Sequence, residues 1–135
     1  MTNFQNAYAE VHVSDLPFVV VVVVGPVTEE GYLGYLQALL EAVQLRRRVV
    51  IRMHAGPMIA FPPRFVQMSV AWLKRHEEVL ARHVVAVTIV MESPALRMAA
   101  QAMLWAATPP FPLGATRTKA EADAWLLARM DEDEP

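Results

Sequence analysis

The chain has 135 residues and a mass of 15.1 kDa, with 55% hydrophobic and 19% charged residues and a mean hydropathy of +0.28, which fits one globular domain and excludes both a disordered tail and a two-domain enzyme. It contains no cysteine, which removes disulfides, thiolate nucleophiles, zinc fingers and iron–sulfur ligation together and fits a cytoplasmic location. The net charge is −2 and would be +2 without the terminal run Asp131, Glu132, Asp133 and Glu134; neither value gives the basic footprint of a nucleic-acid binder.

Residues 1–6 carry no positive charge ahead of an apolar stretch, so no secretion leader is expected and these residues read as a flexible N-terminus. Residues 7–13 and 18–24 read as two adjacent antiparallel strands joined by the turn Ser14-Asp15-Leu16-Pro17. The second is a run of valines, well short of the roughly 20 apolar residues a membrane helix needs, so no membrane insertion is expected. Valine is stiff at χ1 and favours extended backbone, which predicts a central strand buried on both faces. Thr28 then caps a helix that carries Glu29 and Glu30 in its first turn and Leu33, Leu36, Leu40 and Val43 at helical spacing. Its end is expected at Arg46, Arg47 and Arg48, cations that would complement the helix dipole.

A third strand is expected over 49–53, followed by a loop over 54–63 that Gly56, Pro57, Pro62 and Pro63 keep irregular. One helix over 63–82 would place Phe65, Ser69, Trp72, Leu73, His76 and Leu80 along one face. A fourth strand covers 84–90. Ser93-Pro94 is an N-cap with proline at the first helical position, opening a helix to about residue 107. After a short strand over 113–116, Thr118-Lys119-Ala120-Glu121 is a capping box that opens a final helix to about residue 130. The order predicts an α/β fold, a mixed and largely parallel sheet covered by about four helices. Residues 7–130 form the one domain, and 131–135 read as an acidic, solubilising tail.

The order of elements and three local strings resemble the SpoIIAA-like branch of the STAS-like fold. The strings are Gly25-Pro26-Val27-Thr28-Glu29-Glu30, Ser93-Pro94-Ala95-Leu96-Arg97 and Ala122-Asp123-Ala124-Trp125-Leu126. The resemblance covers nearly the whole chain and implies a small regulatory or interaction domain without catalysis. The anti-sigma-factor antagonists of that fold are switched by phosphorylation of a serine after the third strand. This chain has no Ser, Thr or Asp from His54 to Val66, and Ser69 lies inside the second helix, so the serine switch is not expected here.

Chemistry-bearing clusters are sparse. His76, Glu77, Glu78 and His83 do not have the i, i+4 histidine spacing of a zinc helix, and they read as a charged helix end. His54 follows a strand end, where α/β proteins bind ligands, and reads as a surface or hydrogen-bonded histidine. The three serines fall in a turn, on a helix face and at a cap, and the five glycines are scattered, so neither a nucleophile nor a phosphate-cradling loop is indicated. No enzyme activity, cofactor or metal is expected.

Two apolar features remain. The third helix is apolar nearly all round apart from Arg97 and Gln101, and if Leu96, Ala100, Met103 and Leu104 face inward, then Met98, Ala102 and Trp105 form a second stripe. Trp and Met are enriched in interfaces, so this stripe suggests contact with a protein partner, the chain itself included, as a homo-oligomer. The alternative is a crevice for a small apolar, lipid-like ligand, lined by Met53, Met58, Phe61, Phe65, Met68 and Met91.

Overall fold

The computed structural model describes residues 3–56 and 62–133, with side chains throughout except at 103–107. Six strands, β1 (Phe4–Gln5), β2 (Ala9–Asp15), β3 (Phe18–Val23), β4 (Val49–His54), β5 (Val84–Val90) and β6 (Leu113–Thr116), lie in one sheet in sequential order. The β1, β2 and β3 neighbours are antiparallel, and β3 to β6 are parallel. The helices are α1 (Glu29–Val43), α2 (Pro63–Arg75), α3 (Glu77–His83), α4 (Pro94–Ala107) and α5 (Lys119–Asp133). Each parallel step needs a crossover, and α1, the α2–α3 pair and α4 supply the three. The expected mixed, largely parallel α/β sheet is therefore observed.

Alternation along the strands divides the sheet into two unlike faces. On the front, Val11, Val13, Val19, Val21, Val49, Ile51 and Val87 meet Tyr32, Leu36, Leu39 and Val43 of α1, with Phe65 of α2 and Leu80 of α3. Tyr8, Tyr32 and Tyr35 close one end of this core, their ring centroids pairwise 5.7 Å apart. On the back, α5 packs on β4, β5 and β6, and Leu126 seals a small cluster with Val50, Val85 and Ala86. Glu10, His12, Val20 and Val22, on the back of β2 and β3, stay half exposed.

Five expectations need correction. β3 pairs on both sides, with β2 and β4, but its front face is the buried one, because α5 packs mainly on β4, β5 and β6 and of the back of β3 only Phe18 joins the cluster beneath it. Order begins before residue 7: Phe4 and Gln5 pair with Val11 and Glu10. The Asn6 side chain holds this entry, accepting from the Tyr8 and Ala9 amides at 2.8 and 2.9 Å and donating to the Gly31 carbonyl at 2.9 Å. The first helix stops at Val43, so Arg46, Arg47 and Arg48 follow it instead of capping it. Arg48 instead donates to the Ala81 and Arg82 carbonyls and, in a fork, to both carboxylate oxygens of Asp133. That fork extends α5 to Asp133 where a free tail was expected. Finally, the helix expected over 63–82 breaks at His76, whose φ of −111° and ψ of 21° leave the helical region. Two shorter helices then each send one anchor, Phe65 and Leu80, into the front core.

Candidate functional site

The first candidate surface is the outside of α4. Ser93 Oγ accepts from the Leu96 amide at 3.3 Å, as its capping role requires. Arg97 Nη1 donates to the Met91 and Glu92 carbonyls at 2.8 and 2.7 Å, which ties the start of the helix to the end of β5. Arg97 and Gln101 are thus half buried and leave the outer surface to others, while Ala100 is turned inward. Ala95, Met98, Ala99 and Ala102 face outward at i, i+3, i+4 and i+7, one continuous helical face. Met98 is 75% exposed, more than any other exposed large apolar side chain among the described residues. Of the expected stripe, Met98 and Ala102 are therefore on one exposed face, joined by Ala95 and Ala99; the Trp105 side chain lies outside the described residues.

Other exposed apolar side chains are isolated. Leu33 of α1 sits between exposed Glu30 and Gln37, and Leu127 of α5 between exposed Glu121 and Asp131. Scattered single leucines are ordinary surface. On α4 no charged group interrupts the exposed face between Ala95 and Ala102.

The residues expected to line an apolar crevice divide. Phe65 is buried in the front core, and Met53 and Met68 pack against the same cluster. Met91 follows β5 and donates its amide to the Thr116 carbonyl. Met58 and Phe61 lie outside the described residues. An open groove lies elsewhere, about 340 Å³ between α1 and the β1–β2 edge, lined by Phe4, Val11, Val13, Ala38, Ala42 and Leu45 among others.

A second constellation, of which the sequence singled out only His54, sits on the back of the sheet. The β4 alternation places Val50, Arg52 and His54 on the same side, and Arg52 is only 8% exposed. Its Nη1 donates to Asp123 Oδ1 of α5 at 2.5 Å, and its Nε donates to His54 Nε2 at 2.9 Å. Lys119 Nζ, one turn before Asp123, donates to the other carboxylate oxygen at 3.1 Å. Burial would raise the Asp123 pKa, but the hydrogen bonds and charges of Arg52 and Lys119 outweigh it and hold the carboxyl below its ordinary value. Burial, and then the Arg52 charge, lower the His54 pKa, so the imidazole is neutral at pH 7. Because Nε2 accepts from Arg52, its proton resides on Nδ1. Thr88, beside Arg52 in register, is fully buried and shares a hydrogen bond with Thr116 at 3.1 Å.

The other sequence candidates occupy structural positions. His76 packs against Trp72 with the rings tilted and their centroids 5.6 Å apart, and His83 Nδ1 lies 2.9 Å from the Arg46 carbonyl. No group of three His, Asp or Glu side chains among the described residues converges as a metal site. Ser69 Oγ donates to the Phe65 carbonyl at 2.9 Å and shares a hydrogen bond with the Tyr32 hydroxyl. No helix of the described residues is long and apolar enough to cross a membrane. Compared with family models, curated proteins and solved structures, the chain has no match in any of the three.

Proposed function

We propose that this chain is a non-enzymatic regulatory or scaffold domain that acts through protein contact and self-associates through the outer face of α4. The observation that carries the reading is the uninterrupted exposed face of Ala95, Met98, Ala99 and Ala102, with Met98 three-quarters exposed. Alanines allow two helix axes to approach to about 8 Å, and one protruding methionine fills the hollow that small neighbours leave. An uncharged face with one knob and three shallow positions is self-complementary about a two-fold axis, the commonest symmetry of homo-oligomers.

The resemblance to the SpoIIAA-like branch points in the same direction, and the engagement of Ser69 with Phe65 and Tyr32 supports a module that works without a phosphoserine switch. The test is solution mass by light scattering, across a concentration series, for the wild-type chain and for Met98→Lys. The wild type is expected at a multiple of 15.1 kDa and Met98→Lys at one chain mass, with an unchanged circular dichroism spectrum because Met98 contributes little to the core. A wild type that stays at one chain mass, or a Met98→Lys variant that still associates, overturns the reading.

A further inference from the structure

We propose that the outer edge of β6 pairs with β6 of a second copy of this chain, antiparallel about a two-fold axis at Gly114, which joins two sheets into one; the inference rests on the self-association reading and adds a strand contact to it. The parallel ladder fixes which backbone groups are available. Val87 donates to the Pro112 carbonyl at 2.9 Å and Met91 to the Thr116 carbonyl at 2.8 Å. Pro112, Gly114 and Thr116 therefore face β5, while Leu113 and Ala115 turn their N–H and C=O groups to the other side. β6 is the last strand of the sheet, and all four of its residues are half exposed, where β4 and β5 are buried over most of their length. The next outward amide, that of Arg117, is already taken by the Glu121 carboxylate at 3.1 Å. The open window thus runs from Leu113 to Ala115, with Gly114 at its centre.

A strand edge invites pairing unless something blunts it. At the opposite edge β1 is only two residues long, and Asn3 Oδ1 accepts from the Val13 amide at 2.8 Å. β6 has neither a charge nor a proline within it. Its window is also self-complementary. A two-fold axis at Gly114 sets Leu113 opposite Ala115 of the second copy and fills every outward group of the window, each of the two residues donating and accepting once. Leu113 and Ala115 are in register with Val87 and Ile89 and share the front face, so a large side chain meets a small one twice. On the back, Gly114 meets Gly114 of the second copy. The Trp125 ring lies over this glycine, with Cζ2 3.1 Å from where a Cβ would stand, and the Arg129 guanidinium lies 4.6 Å from the ring centre. Two such rings, half buried in one chain, then cover the seam, a use for which tryptophan is enriched. The strand contact is small beside the roughly 1,200 Å² that a specific interface buries. The helix beside it adds to it: α4 packs on β6, and strands paired about 4.8 Å apart make the two α4 helices neighbours.

The test is an isotope-filtered NOE spectrum of the full chain, with labelled and unlabelled protein mixed in equal amounts. A contact between the Gly114 Hα protons of unlike chains is expected, because opposed residues that share no hydrogen bond bring their Cα atoms to about 4.5 Å. Deuterium exchange at the Leu113 and Ala115 amides is expected to slow about tenfold from a dilute to a concentrated sample. Ala115→Pro removes an outward donor and no bond to β5. It is expected to keep the circular dichroism spectrum and to weaken association about thirtyfold, the loss of two hydrogen bonds by symmetry, while Ala115→Ser, which keeps the N–H, associates as the wild type does. Should Ala115→Pro lose its fold, the two wild-type measurements decide. A wild type that associates without the Gly114 contact and without slowed exchange overturns the strand pairing and leaves the α4 reading standing. Association that survives Met98→Lys but is weakened by Ala115→Pro, with the Gly114 contact present, does the reverse. A wild type that stays at one chain mass overturns both.

Discussion

On β3, Val19 and Val21 turn to the front and are fully buried, whereas Val20 and Val22, of identical chemistry and one residue away, turn to the back and stay half exposed. The front joins twenty buried residues into one cluster; the back joins four, Leu126 of α5 and three strand residues beneath it. Stability thus resides largely on one side of the sheet. The other side is where polar groups such as Arg52, His54 and Thr88 are held by hydrogen bonds without opening the main core. The division follows from connectivity: three crossover elements serve the strands, and one terminal helix is left for the remaining face.

The comparison is sharpened most by removing the central side chain of the smaller cluster. Leu126 is fully buried, and Leu126→Ala is expected to destabilise the protein by about 3 kcal/mol through lost transfer energy and the cavity left behind. Because the back cluster is small, hydrogen exchange should show α5 amides losing protection before those of α1. Equal loss in both helices would mean that the two faces unfold as one unit. A smaller effect is expected on β3. Val21→Thr places a hydroxyl in the dry front core and should lower stability by about 1–3 kcal/mol, while Val20→Thr on the half-exposed back should change it by roughly 0.5 kcal/mol or less. Urea unfolding of the pair measures the difference, and equal effects would break the front–back distinction.

Element types were legible because valine-rich runs, N-caps and proline positions act locally. Thr28 Oγ1 accepts from Gly31, and Thr118 Oγ1 from Glu121, as their spacing requires. Which face of the valine run lies under a helix was not legible, since every alternate position is valine and identity carries no direction. The same limit hid the back constellation. Arg52 stands alone in Val49-Val50-Ile51-Arg52-Met53-His54, and that lone charge in an apolar strand was the readable mark of a buried ion pair, but its partner Asp123 is 71 residues away. The α4 stripe was half legible: helical spacing put Met98 and Ala102 on one face, while the inward turn of Arg97 depends on carbonyls at the end of β5.

The smallest expected effect separates the faces by pH. Tyr8, Tyr32 and Tyr35 on the front have pKa values raised, chiefly by burial, above the ordinary 10.0. Unfolded tyrosines ionise first as pH rises past that value, so the front loses stability in alkali. On the back the signs are reversed. His54 is lowered from 6.5 and Asp123 from 3.8; in both cases the unfolded chain binds the proton first. The His54 contribution is therefore complete above pH 6.5 and declines as pH falls below it, and the Asp123 contribution declines only below 3.8. Denaturant unfolding from pH 7 to 5 should show a shallow decline in the wild type that is absent in His54→Gln, with the decline above pH 10 the same in both proteins. A His54→Gln profile that still falls between pH 7 and 5 would place the acid sensitivity on another group. It would also show that the hydrogen bond between Arg52 and the neutral imidazole does not help to hold the back of the sheet together.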